Sequence, residues 1–81
     1  MNKKKIDVYS LIKYEVEKLK KLGFKTPSLD CRLLLSRILK KNNTVYTHQE
    51  VYISQNQIIK FQTLVKKREE GQPVSRILNR R

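Results

Sequence analysis

Apolar side chains recur at helical spacing along most of this chain, and two short stretches interrupt them. "LGFKTPS" (residues 22–28) and "EGQPV" (residues 70–74) hold both glycines and both prolines. Glycine and proline are the strongest local punctuators of structure. A chain punctuated so sparsely, with a helical period between the marks, reads as helices joined by short turns. Before the first break, Tyr9, Ile12, Val16 and Leu19 step by three, four and three, so the spacing predicts a helix over about residues 6–22. Gly23 follows it, where a left-handed cap costs a residue without Cβ least.

The second helix opens at "TPSLD". Thr26 is placed to cap it, and Pro27 suits a first helical position, where no N–H is needed. Asp30 puts negative charge near the positive end of the helix dipole. Cys31, Leu34, Leu35, Ile38 and Leu39 form its apolar face, and Asn42 is positioned to close it. Ser54 and Gln57 stand at capping-box spacing before a helix that runs to about Glu70, with Ile58, Phe61, Leu64 and Val65 inward. Gly71 ends that helix, and Pro73 starts a last short turn with Val74, Ile77 and Leu78. Between the second and third helices, "NNTVYTHQEVYIS" admits two readings. Alternation at Val45, Thr47, Val51 and Ile53 suits short strands. A lone strand pair is marginal, so a short helix near residues 44–47 followed by a loop is preferred. The expected fold is all-α, a compact bundle of four to five short helices over residues 1–78, with residues 79–81 beginning a linker.

At 81 residues the chain is sized for one small core. A net stability of about 4–12 kcal/mol is ordinary for that size. One cysteine forms no internal disulfide, and no Cys/His cluster suggests a metal, so helix packing must carry the fold. No run of about 18 apolar residues could span a membrane. The basic start lacks a signal peptide's apolar centre, and the expected compartment is the cytoplasm. Net charge is +12, from 19 Lys and Arg against 7 Asp and Glu. That excess favours acidic partners. The bases are dispersed, with tight clusters only at residues 3–5 and 66–68.

Chemistry is sparse. Two glycines 48 positions apart make no phosphate loop. One His and one Cys without supporting motifs make no nucleophilic site. Glu15 and Glu17 lie on different helix faces, and Glu69 and Glu70 are adjacent at a helix end. His48 reads as a surface or capping residue.

Two blocks carry a resemblance. "SLDCRLLLSRIL" (residues 28–39) resembles the "LDAxxLLxxxL" helix near the start of bacterial peptide chain release factor glutamine N5-methyltransferases. "LVKKREEGQPVSRIL" (residues 64–78) resembles that family's "RRxxGxPxxYIxG" segment, with Arg68, Gly71 and Pro73 at R-x-x-G-x-P spacing. Arg76 stands where the family usually has Tyr, and Asn79 where it has Gly; Asn tolerates a left-handed backbone best among other residues. The resemblance implies that the chain is the helical N-terminal domain of a larger enzyme. A Rossmann-like domain binding S-adenosylmethionine would follow, with an Asn-Pro-Pro-Tyr motif for the substrate glutamine. No residue here matches either, so no catalytic role carries over, and no catalytic, cofactor-binding or metal-binding residue is expected in this chain. It further implies a monomer that grips a class 1 release factor, while its own C-terminal methyltransferase domain takes the Gly-Gly-Gln tip. Arg68, Gln72 and Arg76 are the expected partner or interdomain contacts; Gly23, Gly71, Pro73 and Asn79 are the expected structural turns. The competing reading is a basic helical module binding RNA or tRNA, which net charge supports.

Overall fold

Val8, Ile12 and Leu19 form one apolar stripe, Cys31, Leu34 and Leu35 a second, and Phe61 and Val65 a third. In the computed structural model, which describes residues 3–78, all eight are buried in one cluster with Val45, Val51, Ile53 and Ile77. The elements run in the order β1 (Lys3–Asp7), α1 (Val8–Lys21), α2 (Pro27–Ile38), β2 (Glu50–Ser54), α3 (Gln55–Glu69) and α4 (Val74–Leu78). The most apolar helix is central, as its composition requires: α2 packs against α1, α3 and α4. The turn expected at Asn79 and the linker over residues 79–81 lie outside the described residues.

The fold is mostly helical, but it is not all-α. β1 and β2 form a two-stranded antiparallel ribbon in which Lys4 faces Ile53, Lys5 faces Tyr52 and Ile6 faces Val51. The alternation at Val51 and Ile53 is therefore that of a strand, with both side chains buried beneath the ribbon. "KKKID" has only one apolar residue, and its strand form comes from a partner 43–51 positions away. Local periodicity carries no signal of such pairing. Packing on the helices supplies what an isolated strand pair lacks.

The helix expected near residues 44–47 is absent, and α1 begins two residues later than its stripe suggested. Both differences have one cause. A helix start leaves its first N–H groups without intrahelical acceptors. Here Val8 N donates to Gln49 O at 2.8 Å and Tyr9 N to Thr47 O at 3.0 Å. Ser10 N donates to the Asp7 carboxylate at 2.7 Å. Residues 47 and 49 thus spend their carbonyls on α1, not on a helix of their own. The Ser10 N–H bond holds the Asp7 carboxyl below its ordinary value.

Three helices end in the same way. After α1, α2 and α3 a left-handed residue follows the cap, and the residue after it donates back to close a six-residue ring. The closing bonds are Phe24 N to Leu19 O, Lys41 N to Ser36 O, and Gln72 N to Lys67 O, at 3.0–3.2 Å. Gly23 (φ 93°) and Gly71 (φ 102°) take the left-handed place. After α2, Lys40 (φ 57°) takes it, so the helix closes before Asn42. The expected Ser54–Gln57 capping box is present, with Gln57 N to Ser54 Oγ at 3.2 Å and Ser54 N to Gln57 Oε1 at 2.9 Å.

Ser36 holds the long α2–β2 connection to the core. Its buried hydroxyl donates to Arg32 O at 2.7 Å and accepts from Val45 N at 2.9 Å. Without that oxygen, a buried N–H loses its acceptor. Ser36→Ala is expected to destabilise the fold by about 1–3 kcal/mol, the cost of an unsatisfied buried polar group. Urea titration followed by circular dichroism measures it; a midpoint equal to that of the unsubstituted chain would show that the Val45 bond contributes nothing.

Candidate functional site

Arg68, Gly71 and Pro73 lie where the chain leaves α3, turns and enters α4. A five-residue helix cannot hold itself, because helix nucleation is unfavourable. Its position depends on what grips its ends.

Arg68 grips the start. Its Nε lies 3.0 Å from Asp30 Oδ2, its Nη1 donates to Gln72 O at 3.0 Å, and its Cζ lies 4.4 Å from the Phe24 ring centroid. One planar guanidinium therefore joins the α1–α2 turn, the first turns of α2 and the turn after α3. Only arginine offers several donors and a stackable face in one rigid fork. The pair is well shielded, with side-chain exposures of 19% for Arg68 and 7% for Asp30. Thr26 serves this pair as well: it makes no side-chain bond to the α2 backbone, and its Oγ1 donates to Asp30 Oδ1 at 3.2 Å. The expected Thr26 cap is thus replaced by a hydroxyl that orients Asp30.

Arg37 grips the end. Its Nη2 donates to Leu78 O at 2.8 Å, across 41 positions of sequence. Sequence reasoning passes over this residue, since one arginine in α2's last turn carries no local signal. Between the two grips, Ile77 is buried and Val74 and Leu78 pack against the core. Arg76 N and Ile77 N both donate to Pro73 O, at 3.0 and 3.1 Å.

The three residues expected to make contacts therefore differ in place. Arg68 is turned inward. Gln72 is half-buried and gives its carbonyl to Arg68. Arg76 is exposed on α4, with no side-chain hydrogen bond or ion pair among the described residues. Nearby, Lys18 Nζ lies 3.2 Å from Glu69 Oε2, close enough for charge attraction but off the line of a hydrogen bond.

Cys31 is buried, and burial raises its thiol to about 12, so it carries no thiolate at neutral pH. His48 stacks on Tyr46, with centroids 5.8 Å apart. Among the described residues, no three His, Cys, Asp or Glu side chains gather as a metal site. Among them, too, no helix is long and apolar enough to cross a membrane.

Fold and corner together define a small helical module whose last helix is clamped in one direction. A family model described as the PrmC N-terminal domain matches residues 10–78, 69 of the 81 positions. The chain belongs to that family. The match takes in nearly all of α1 and the whole of α2, α3 and α4, and it begins after β1 and its Asp7 cap. No match was found among curated proteins, and none among solved structures.

Removing one partner of a shielded ion pair strands the other. Arg68→Met is expected to cost about 3 kcal/mol, because Asp30 is left charged and mostly buried. Arg68→Met combined with Asp30→Leu should recover most of that loss, since apolar replacement of both partners is tolerated. Chemical denaturation of both single variants and the double variant gives the coupling directly. Additive losses, with no recovery, would contradict the pairing.

Proposed function

We propose that this chain is the release-factor-binding N-terminal domain of an S-adenosylmethionine-dependent methyltransferase. Its parent enzyme methylates the side-chain amide of the glutamine in the Gly-Gly-Gln motif of class 1 peptide chain release factors, in the cytoplasm. The observation that carries this reading is the family match over residues 10–78, which includes the Arg68–Gly71–Pro73 corner.

The physical need for such a domain is clear. One glutamine on a flexible tip supplies little binding energy. Contacts remote from the reacting atom must hold the substrate long enough for its amide to be oriented. Two linked domains that share the grip raise the effective concentration of the tip at the catalytic centre. That logic requires a definite angle between domains. The inward-turned Arg68, with the Gln72 carbonyl on it and Arg37 beyond, supports a fixed exit toward the catalytic domain. Arg76 is exposed on α4, where it can meet a partner or the catalytic domain, and the half-buried Gln72 engages Arg68 through its backbone carbonyl alone. The chemistry belongs to the parent's second domain, where S-adenosylmethionine supplies the methyl group. The positive coat speeds encounter with an acidic face of the release factor.

Isothermal titration of the 81-residue chain with a class 1 release factor tests the reading. Binding is expected, strongest at low salt, with Arg76→Glu weakening it by more than the ~0.5 kcal/mol typical of neutral surface changes. Failure to bind the release factor at low salt would overturn the reading. Tight, steeply salt-dependent binding to RNA instead would favour the nucleic-acid alternative.

A further inference from the structure

All four tyrosines of the chain are more than half exposed, at 57–70%, while Phe61 is buried and Phe24 lies under Arg68. Exposed aromatic side chains scattered singly are ordinary, but gathered along one groove they mark a surface that a partner can cover. Two of the tyrosines frame a groove of about 350 Å³, which falls within the size range of ligand sites.

The groove lies along α1 and shares no lining residue with the Arg68 corner. Tyr9, Lys13 and Glu17 step by four along the helix and form one wall, and Tyr14 stands beside them. Val16 and the two tyrosine rings give the groove its apolar surface, with the buried Ile12 beneath. Ser28 of α2 and Thr47 of the α2–β2 connection complete the lining. The wall is held in place, because Tyr9 N is bonded to Thr47 O at 3.0 Å. Lys13 is the central cation: its Nζ lies 5.9 Å from the Tyr9 ring centroid and 5.3 Å from that of Tyr14. Two electron-rich faces thus hold an ammonium at the mouth of an apolar slot.

We infer that this groove is a docking site for an acidic segment of a protein partner, with an apolar side chain against Val16 and the tyrosine rings and a carboxylate on Lys13. The occupant follows from charge and chemistry. The chain carries +12, and the exposed lysines 3–5 precede α1 on β1. An acidic partner is drawn to such a surface. Glu17, Ser28 and Thr47 add acceptors along the slot. A peptide backbone supplies an N–H donor at nearly every residue to meet them, whereas a sugar-phosphate backbone carries no N–H. Lys13 also occupies space over both rings that stacked bases would need. For its partner the inference rests on the release-factor reading above; the groove and its preference for acidic segments do not.

Nuclear magnetic resonance titration of the labelled chain tests it with three probes: a class 1 release factor, a synthetic peptide of glutamates around one phenylalanine, and a single-stranded oligonucleotide. The expected result is that the release factor and the peptide both shift the Tyr9, Lys13, Tyr14 and Thr47 amides. Lys13→Glu and Tyr14→Ala, both exposed changes, should weaken each by roughly fivefold or more, against less than about twofold for Lys60→Glu on α3. Peptide binding at the groove without release-factor binding would keep the groove and remove the partner. Release-factor binding indifferent to Lys13 and Tyr14 would overturn the groove and keep the partner. An oligonucleotide that binds the groove more tightly than the peptide, or no groove shift with any probe, would overturn the inference.

Discussion

The ion pair between Asp30 and Arg68 is the interaction on which the far end of this fold depends. The two residues are 38 positions apart, and their side chains meet at 3.0 Å in a largely shielded site. A charge withdrawn from water costs several kcal/mol unless it is paired and hydrogen-bonded. Asp30 meets that cost with Arg68, with Thr26 and with its place near the start of α2. Arg68 meets it with Asp30, the Gln72 carbonyl and the Phe24 ring. Such a pair adds little net stability over an apolar substitute, but breaking it strands a shielded charge, so it ties α2 to the end of α3 and the Gly71 turn.

How much of this is legible in the sequence divides by distance along the chain. The ends of α1 and α3 are written locally, in Gly23, Gly71 and the Ser54–Gln57 box, and they stand where local rules put them. The inward faces follow from spacing, since Ile12, Leu34, Leu35, Phe61 and Val65 recur at helical period and are buried. What escapes local reading is what distant residues decide. Lys3–Asp7 becomes a strand because Glu50–Ser54 lies beside it. The segment before β2 stays irregular because the carbonyls of Thr47 and Gln49 serve α1. Thr26 looks like a cap and instead orients Asp30. Arg68 looks like a partner's contact and holds the fold's own corner, while Arg37, which carries no signal, fastens Leu78. Ser36 belongs to the same group, as its hydroxyl matters only because Val45 N arrives 9 residues later.

These long-range contacts also separate two kinds of positive charge. Arg68 is engaged in architecture, and Arg37 partly so. Most lysines face water, and their collective field favours acidic partners without choosing among them. Choice requires shape, and the groove along α1 supplies it: Tyr9 and Tyr14 flank Lys13 beside the apolar Val16. On the function proposed above, a module that holds a substrate for a catalytic domain needs both features: one face to recognise the partner, and a last helix held at a fixed angle.

If the Asp30–Arg68 pair fixes α4, and not merely the stability of the whole, its effect must be local to that helix. Native-state hydrogen exchange at the Arg76 and Ile77 amides, both bonded to Pro73 O, measures this most directly. In the double variant that carries Arg68→Met and Asp30→Leu, the α2 and α3 amides are expected to keep their protection while those two lose theirs. Full protection at Arg76 and Ile77 in that variant would contradict the role given to the pair.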